Sequence, residues 1–349
     1  MNLKKFTIKE TQSVLEALES LCESRNNEPL VLFVMNDEDC IVGTLTDGDI
    51  RRSLVSGATV ESSVSEVAHK DFKYLRENEA DIELIHRCRA LGVELLPVVD
   101  DEMHIVDVVN LLTQKSILPV DAVLMAGGKG VRLRPLTETT PKPLLPVGGK
   151  PIIDYNIESL IENGIKHISV TTNYLHEQLE KHFTEPINGI QVECIKEPQF
   201  LGTMGATQFI PQFYNDVVLV MNSDLFTNID YEDFYLHFKE NNADMSVAAV
   251  SYSISVPYGI FELDGRNIKG VKEKPVYNYF ANAGIYLIKR ELLDAMPKNT
   301  FYNATDLMND AVAAGKTVIR YPITGYWLDI GSHEEYAKAN DLVKHIKKG

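Results

Sequence analysis

From Asp121 onward the chain alternates short apolar runs with stretches of helical period, and few folds accept that rhythm. Residues 122–126 (AVLMA) read as a strand, Ile153–Asn163 as a helix, 167–172 (HISVTT) as a strand and Tyr174–Phe183 as a helix. Residues 189–195 (GIQVECI) follow as a strand, Thr203–Phe209 as a short helix and 216–222 (DVVLVMN) as a strand. Tyr231–Asn241 is then a helix and 245–251 (MSVAAVS) a strand. Strands joined through helices predict an α/β unit with a mostly parallel sheet covered on both faces. In such sheets ligands collect beyond the carboxyl ends of the strands, so the chemistry is expected just after AVLMA and just after VVLVMN. The final stretch, His333–Lys347, reads as an amphipathic helix, with Lys344, Lys347 and Lys348 where cations suit the helix dipole.

A chain of 349 residues has room for two cored domains. A proline between two apolar runs in Lys115–Asp121 (KSILPVD) places the boundary, giving domains 1–118 and 119–349. With 44% hydrophobic and 24% charged residues the chain is neither disordered nor fibrous. Its net charge of −16 offers no global attraction to nucleic acid or an anionic membrane, so neither is expected as a partner and any phosphate site must be a local basic spot. No apolar stretch approaches the length of a membrane span, and no apolar run follows the N-terminal lysines. The four cysteines form no C-x-x-C pair and read as reduced thiols. A cytoplasmic protein is therefore expected.

The first domain carries an internal repeat. Val34–Thr46 (VMNDEDCIVGTLT) and Val98–Asn110 (VVDDEMHIVDVVN) align without gaps at an offset of 64 residues. Each is an apolar strand, an acidic turn and a second apolar strand, preceded by a helical stretch (Ser13–Cys22 or Ile82–Leu91). Units this small cannot bury their apolar faces alone, so the copies are expected to pack into one small α+β module.

The segment after AVLMA, Gly127–Lys150 (GGKGVRLRPLTETTPKPLLPVGGK), is the most informative. Gly127, Gly128 and Gly130 let backbone N–H groups converge on one concavity and let a phosphate approach. Arg132 can fork onto phosphate oxygens and Lys142 adds a point charge. A dinucleotide fingerprint fails because its third glycine would fall at Leu133, and a P-loop fails because no Gly-Lys-Ser/Thr follows. A plain solvated loop is the bland alternative, and the length of the pattern argues against it.

G-G-x-G-x-R-L-x-P-L-T followed by P-K-P-L-L-P-V resembles the sugar-1-phosphate nucleotidyltransferases, from Asp121 to the C-terminus. The N-terminal repeat resembles a CBS-domain pair, on the strand-to-helix signature Gly43–Arg52 (GTLTDGDIRR). The combination is similar to guanylyltransferases of the mannose-1-phosphate and glucosamine-1-phosphate type, which feed bacterial glycan and nonulosonic-acid pathways. The resemblance implies a Rossmann-like nucleotidyltransferase domain behind a CBS-pair module, and a homo-oligomer.

It also implies site residues. Leu124, Ala126, Gly127, Gly128, Gly130 and Arg132 would line the nucleotide site, with Arg132, Lys142 and Asp224 as catalytic residues. Asp224 ends a strand and Asp329 lies 105 residues later in WLDIGS. Acids on separate strands can converge on one cation, and the matching family positions hold Mg²⁺, which takes one or two carboxylates. Glu197 in EPQFLGTMGA would read the base. A carboxylate accepts two hydrogen bonds and donates none, which suits the adjacent donors of guanine; adenine's amine could also donate to it. Gly202 and Thr203 would approach the base or ribose. Tyr258, Gly259, Glu273, Lys274, Asn282 and Gly284 would contact the sugar phosphate, although VKEKP read alone is an exposed charge run. The aromatic cluster Tyr277–Phe280 reads as core or interface.

In the CBS-like pair, Thr46 and Asp49 match positions that bond an adenine nucleotide's phosphate and ribose. The second copy has Asp107, Asn110 and Thr113 at the equivalent places, and Asp107 would repel a phosphate. A structural or dimerising role for the pair is the alternative. The expected reaction is GTP plus a sugar 1-phosphate giving a GDP-sugar and pyrophosphate. Two alternatives stay open: the same transfer with UTP, dTTP, ATP or CTP, and a non-catalytic nucleotide-sugar sensor.

Overall fold

The structure is a computed structural model that describes residues 3–23, 28–77 and 79–346. Lys347 and Lys348 therefore lie outside the described residues. The chain divides into two compact units, Met1–Leu118 with Glu162–Gly164, and Pro119–Ile161 with Ile165–Gly349.

In the first unit, β1 (Thr7–Lys9), α1 (Val14–Cys22), β2 (Val31–Met35), β3 (Ile41–Thr46) and α2 (Asp47–Val55) form one copy of the repeat. After α3 (Val64–Val67), the second copy follows as β4 (Leu75–Arg76), α4 (Ile82–Ala90), β5 (Leu95–Val99) and β6 (Ile105–Asn110). Each copy is a three-stranded sheet, ordered β1-β2-β3 or β4-β5-β6, whose first pair is parallel and second antiparallel. The acidic turns meet through a bridge between Cys40 and His104, equivalent positions in the two copies. Phe33 and Ile41 from one copy share a core with Leu95 and Val99 from the other, so each repeat buries the other's apolar face.

The second unit opens on β7 (Asp121–Met125), followed by the short strands β8 (Pro146–Val147) and β9 (Lys150–Pro151) and then α5 (Ile152–Glu162). β10 (Ile168–Thr172), α6 (His176–His182), β11 (Val192–Lys196) and β12 (Val217–Asn222) continue the alternation. Next come β13 (Leu225–Thr227), α7 (Tyr231–Glu240), β14 (Met245–Ser255), β15 (Ile260–Asp264), β16 (Asn267–Lys272) and β17 (Val276–Lys289). The chain closes with α8 (Arg290–Asp294), α9 (Ala304–Ala313), β18 (Val318–Pro322), β19 (Trp327–Asp329) and α10 (His333–Ile346).

Seven of these strands form one sheet in the order β11-β10-β7-β12-β17-β14-β18. Only β17 runs against the others, so the sheet is mixed and mostly parallel. The central strands read as unbroken apolar runs because both faces are covered. The sheet's entry is pinned by buried Asp121, whose carboxylate accepts the N–H groups of Tyr214 (2.7 Å) and Asn215 (3.0 Å) and the Asn215 side-chain amide (2.9 Å).

The short helix expected over Thr203–Phe209 is a 3-10 helix, Gly205–Phe209, and Gly205 within it is pressed against Leu201 and the Thr300 carbonyl with no room for a Cβ. Asn282 and Gly284, expected to contact the sugar phosphate, lie inside β17 at a bulge opposite Val247 and Ala249. Gly284 has φ of +72° there, and a Cβ would fall 2.5 Å from the Asn222 side chain.

Candidate active site

β7 and β12 lie side by side, so the segments leaving their carboxyl ends meet. The Ser223 hydroxyl donates to the Met125 carbonyl (2.7 Å) and ties the two strand ends together. A cleft of about 240 Å³ opens there, lined by Ala126, Gly128, Gly130, Arg132, Lys142 and Asp224, among others.

Each glycine of the loop has its own reason. A Cβ on Gly127 would lie 2.3 Å from Glu197 Oε1, so only glycine lets that carboxylate pack against the loop. Gly128 faces open space. Gly130 has φ of +59°, and its carbonyl accepts hydrogen bonds from the Leu133 N–H (3.0 Å) and the Thr137 hydroxyl (2.8 Å), curling the loop into the 3-10 turn that carries Arg132. The Arg132 guanidinium lies against Gly331, two residues after Asp329.

The two acids converge through a short ribbon. β13 pairs antiparallel with β19, setting Leu225 opposite Asp329, and the Ile330 N–H donates to the Asp224 carbonyl (3.1 Å). Lys142, at the start of the 3-10 turn Lys142–Leu144, sends its ammonium between the carboxylates. It forms a close ion pair with Asp224 and lies 3.4 Å from Asp329. Asp224 Oδ1 is buried and has no hydrogen-bond partner. Burial pushes the Asp224 carboxyl up against the pull of the Lys142 ammonium, and the charge of Asp329 pushes the same way. An orphaned carboxylate oxygen beside a second carboxylate is the donor set a hard divalent cation takes.

Arg132, Lys142, Asp224 and Asp329 are thus brought to one place with Ala126, Gly128 and Gly130. Leu124 is not at the cleft surface; its side chain is wholly buried in β7. Glu197 is only 3% exposed, so it is no solvated surface acid. One oxygen accepts the Leu201 N–H (3.0 Å), and burial raises its carboxyl pKa against that bond. Gly202 (φ +80°) and Thr203 serve internal packing: a Cβ on Gly202 would meet the Tyr302 carbonyl, and the Thr203 hydroxyl accepts the Ala304 N–H (2.7 Å).

Tyr258 is exposed, and Gly259 lies against the Glu273 carboxylate. Glu273 and Lys274 (φ +44°) form the turn between β16 and β17, and none of these four lines the cleft. Asn282 and Gly284 are nearer, since Trp327 of β19 donates to the Ala283 carbonyl (2.9 Å). Ser223, Thr137 and Gly331 escaped the sequence reading. Ser223 and Thr137 adjoin or sit within motifs already singled out, and Gly331 follows WLDI.

In the first unit a cleft of about 560 Å³ is lined by residues including Thr46, Asp49, Arg52 and His69. Thr46 and Asp49 spend their polar atoms on each other as the capping box of α2. Against the cost of burial, bonds from Thr46 and Arg52 hold the Asp49 carboxyl below its ordinary value.

The nucleotidyl transferase family matches residues 121–345, and the CBS domain family matches residues 1–56. A mannose-1-phosphate guanylyltransferase of Mycobacterium tuberculosis is 29% identical over 237 residues, 65% of this chain and 66% of its own. A bifunctional protein GlmU of Methanocaldococcus jannaschii is 30% identical over 229 residues, 63% of this chain and 53% of its own. The chain spans less than two thirds of the length of these curated relatives. Among solved structures, HddC from Yersinia pseudotuberculosis, complexed with GMP-PN, superposes with a TM-score of 0.50 at 23% identity, covering 64% of this chain and 99% of that one. That likeness concerns the fold. No helix among the described residues is long and apolar enough to cross a membrane.

Proposed function

The chain belongs to the nucleotidyl transferase family, and on that premise we propose that it joins a nucleoside triphosphate to a sugar 1-phosphate and releases pyrophosphate. The observation that carries this reading is the Lys142 ammonium held between Asp224 and Asp329 at the mouth of a glycine loop. A protein that only binds nucleotide sugars has no use for a charged cluster kept at that point.

A phosphate oxygen of the sugar 1-phosphate attacks the α-phosphorus; the bond to the β-phosphate oxygen breaks, and pyrophosphate leaves with that electron pair. The substrate supplies the nucleophile, so the protein's part is positioning and charge neutralisation. Backbone N–H groups of the glycine loop and the Arg132 fork hold the triphosphate and then the leaving pyrophosphate. Lys142 neutralises charge at the α-phosphate. Asp224 and Asp329 are the residues that would hold Mg²⁺, which when bound screens the phosphates of both substrates.

Two considerations favour GTP as donor. Glu197 is an acceptor-only side chain next to the loop, and a relative at 29% identity carries a guanylyltransferase name. The deciding experiment is a matrix of five nucleoside triphosphates against a panel of sugar 1-phosphates, scored by pyrophosphate release. Release with GTP and one or more sugars is expected; no release from any pair ends the proposal.

A further inference from the structure

The two acidic turns of the first unit are built alike. Asn36 Oδ1 accepts the N–H groups of Glu38 (3.0 Å) and Cys40 (2.9 Å). Asp100 Oδ1, 64 residues later, accepts those of Glu102 (3.0 Å) and His104 (2.8 Å). Asp39 and Met103 take positive φ at matching places, +58° and +69°, and the bridge that follows sets Cys40 beside His104. Cys40 Sγ lies 3.7 Å from His104 Nε2. The turns differ at one point: where the first has the amide of Asn36, the second has a carboxylate, and Asp100 Oδ2 meets His104 Nδ1 at 3.1 Å. A carboxylate only accepts, so Nδ1 carries the proton, and in the neutral ring Nε2 turns its lone pair toward the sulfur. Cys40 and His104 are both partly open to solvent.

We propose that Cys40 and His104 form a binding site for a borderline-soft divalent metal, zinc in the first place, which clasps the two repeats together at their turns. In a tetrahedral zinc site, bonds of about 2.3 Å to sulfur and about 2.0 Å to nitrogen put those two atoms roughly 3.5 Å apart. The pair already stands at nearly that spacing. Asp100 is the outer partner that a metal-bound histidine commonly has, fixing both the ring and its tautomer. Carboxylate oxygens of Asp100 and Glu102 and a ring nitrogen of His104 lie within 4.8 Å of one another, so an oxygen donor is at hand, and water completes the coordination. The local field also selects a cation. Residues 37–39 and 100–102 are all acidic, and the cations that meet them, Lys9 on Asp39 (2.6 Å) and Arg76 on Asp101 (3.7 Å), offset only part of that charge. A nucleophilic thiolate belongs in electropositive surroundings, the opposite of these. Metal binding releases the Cys40 thiol proton to solvent and leaves the thiolate on the ion.

The test applies the metal alone to the full chain, in an excess of Mg²⁺ that competes at Asp224 and Asp329. Zn²⁺ is titrated against a chromophoric chelator, and Co²⁺ serves as a spectroscopic probe, because a bond to thiolate gives it a charge-transfer band in the near ultraviolet. One equivalent of zinc should bind, and the cobalt band should saturate at one equivalent. Cys40→Ser should abolish the band and the zinc binding. Asp100→Asn should weaken zinc by about tenfold or more, the scale of losing an outer partner. That variant keeps its turn, since Asn36 makes the same two backbone bonds in the first copy. Alkylation of the wild type, followed peptide by peptide, is a reading independent of how any variant folds: zinc should protect Cys40 and leave the exposed Cys22 as reactive as before. Absence of the cobalt band overturns the proposal. So does a zinc affinity unchanged in either variant, and so does alkylation of Cys40 at the same rate with and without zinc.

Discussion

Leu225 sits opposite Asp329 in a ribbon of three residue pairs, and that register delivers Asp224 to the far side of the Lys142 ammonium. The large sheet orders β12, but this small antiparallel contact joins two acids 105 residues apart. Lys142 completes the arrangement from a third segment. Without a cation between them, two carboxylates this close would repel and one would take up a proton.

Asp224→Asn should therefore cost catalysis and spare the fold. Turnover, read as pyrophosphate release, is expected to fall about 10³-fold, the scale of losing a preorganised charge at a phosphoryl centre. Circular dichroism and the melting temperature should stay close to wild type. Chelation should abolish activity in the parent and added Mg²⁺ should restore it. A variant that keeps most of its turnover removes Asp224 from the centre.

The loop glycines make a paired test. Gly127→Ala drives a methyl into the buried Glu197 carboxylate, an overpacking that costs about 1–3 kcal/mol. Gly128→Ala meets no atom within 4 Å, so its melting temperature should hold. If phosphates lie on that loop, Gly128→Ala raises the KM for the triphosphate all the same. Equal KM values for Gly128→Ala and the parent would move the phosphates elsewhere.

The large sheet was legible because its central strands are buried on both faces and so read as unbroken apolar runs, with the ligand loop at their carboxyl ends. The ribbon that unites Asp224 with Asp329 was not. Three-residue strands show no period, and their pairing is a long-range contact that no local pattern reports. The arm from Ile260 to Lys272 escaped for another reason: the extra residue Lys269 breaks the alternation in β16, and apolar residues on an uncovered face do not mark a core. Gly202 and Gly205 belong to a familiar motif, yet what they approach is the Thr300–Tyr302 backbone, which sequence spacing cannot reveal.

Asp121 tests the sheet apart from the chemistry. Asp121→Ala removes the shared acceptor of two backbone N–H groups and one side-chain amide on the solvent-reached residues Tyr214 and Asn215, a loss of about 1–3 kcal/mol at the usual net worth of such bonds. Urea denaturation should show a lower midpoint with the same slope. Pyrophosphate release per folded molecule should not change, since Asp121 lies at the strand end remote from the loop.

Glu197 links stability to pH with a definite sign. Burial raises its folded pKa above the ordinary 4.5, so ionised Glu197 penalises the folded state. The penalty is complete above the folded pKa and vanishes below the unfolded value, because there both states are protonated. Glu197→Gln keeps an acceptor for the Leu201 N–H and removes the charge. The variant should therefore melt above wild type at neutral pH, with the advantage shrinking to nothing near pH 4. The same change replaces two acceptors by one acceptor and one donor, which fits uracil or thymine better than guanine. If Glu197 reads the base, the GTP to UTP ratio of kcat/KM falls in the variant; if the melting advantage appears and the ratio stays fixed, the buried carboxylate supports the loop and the base is read by other residues.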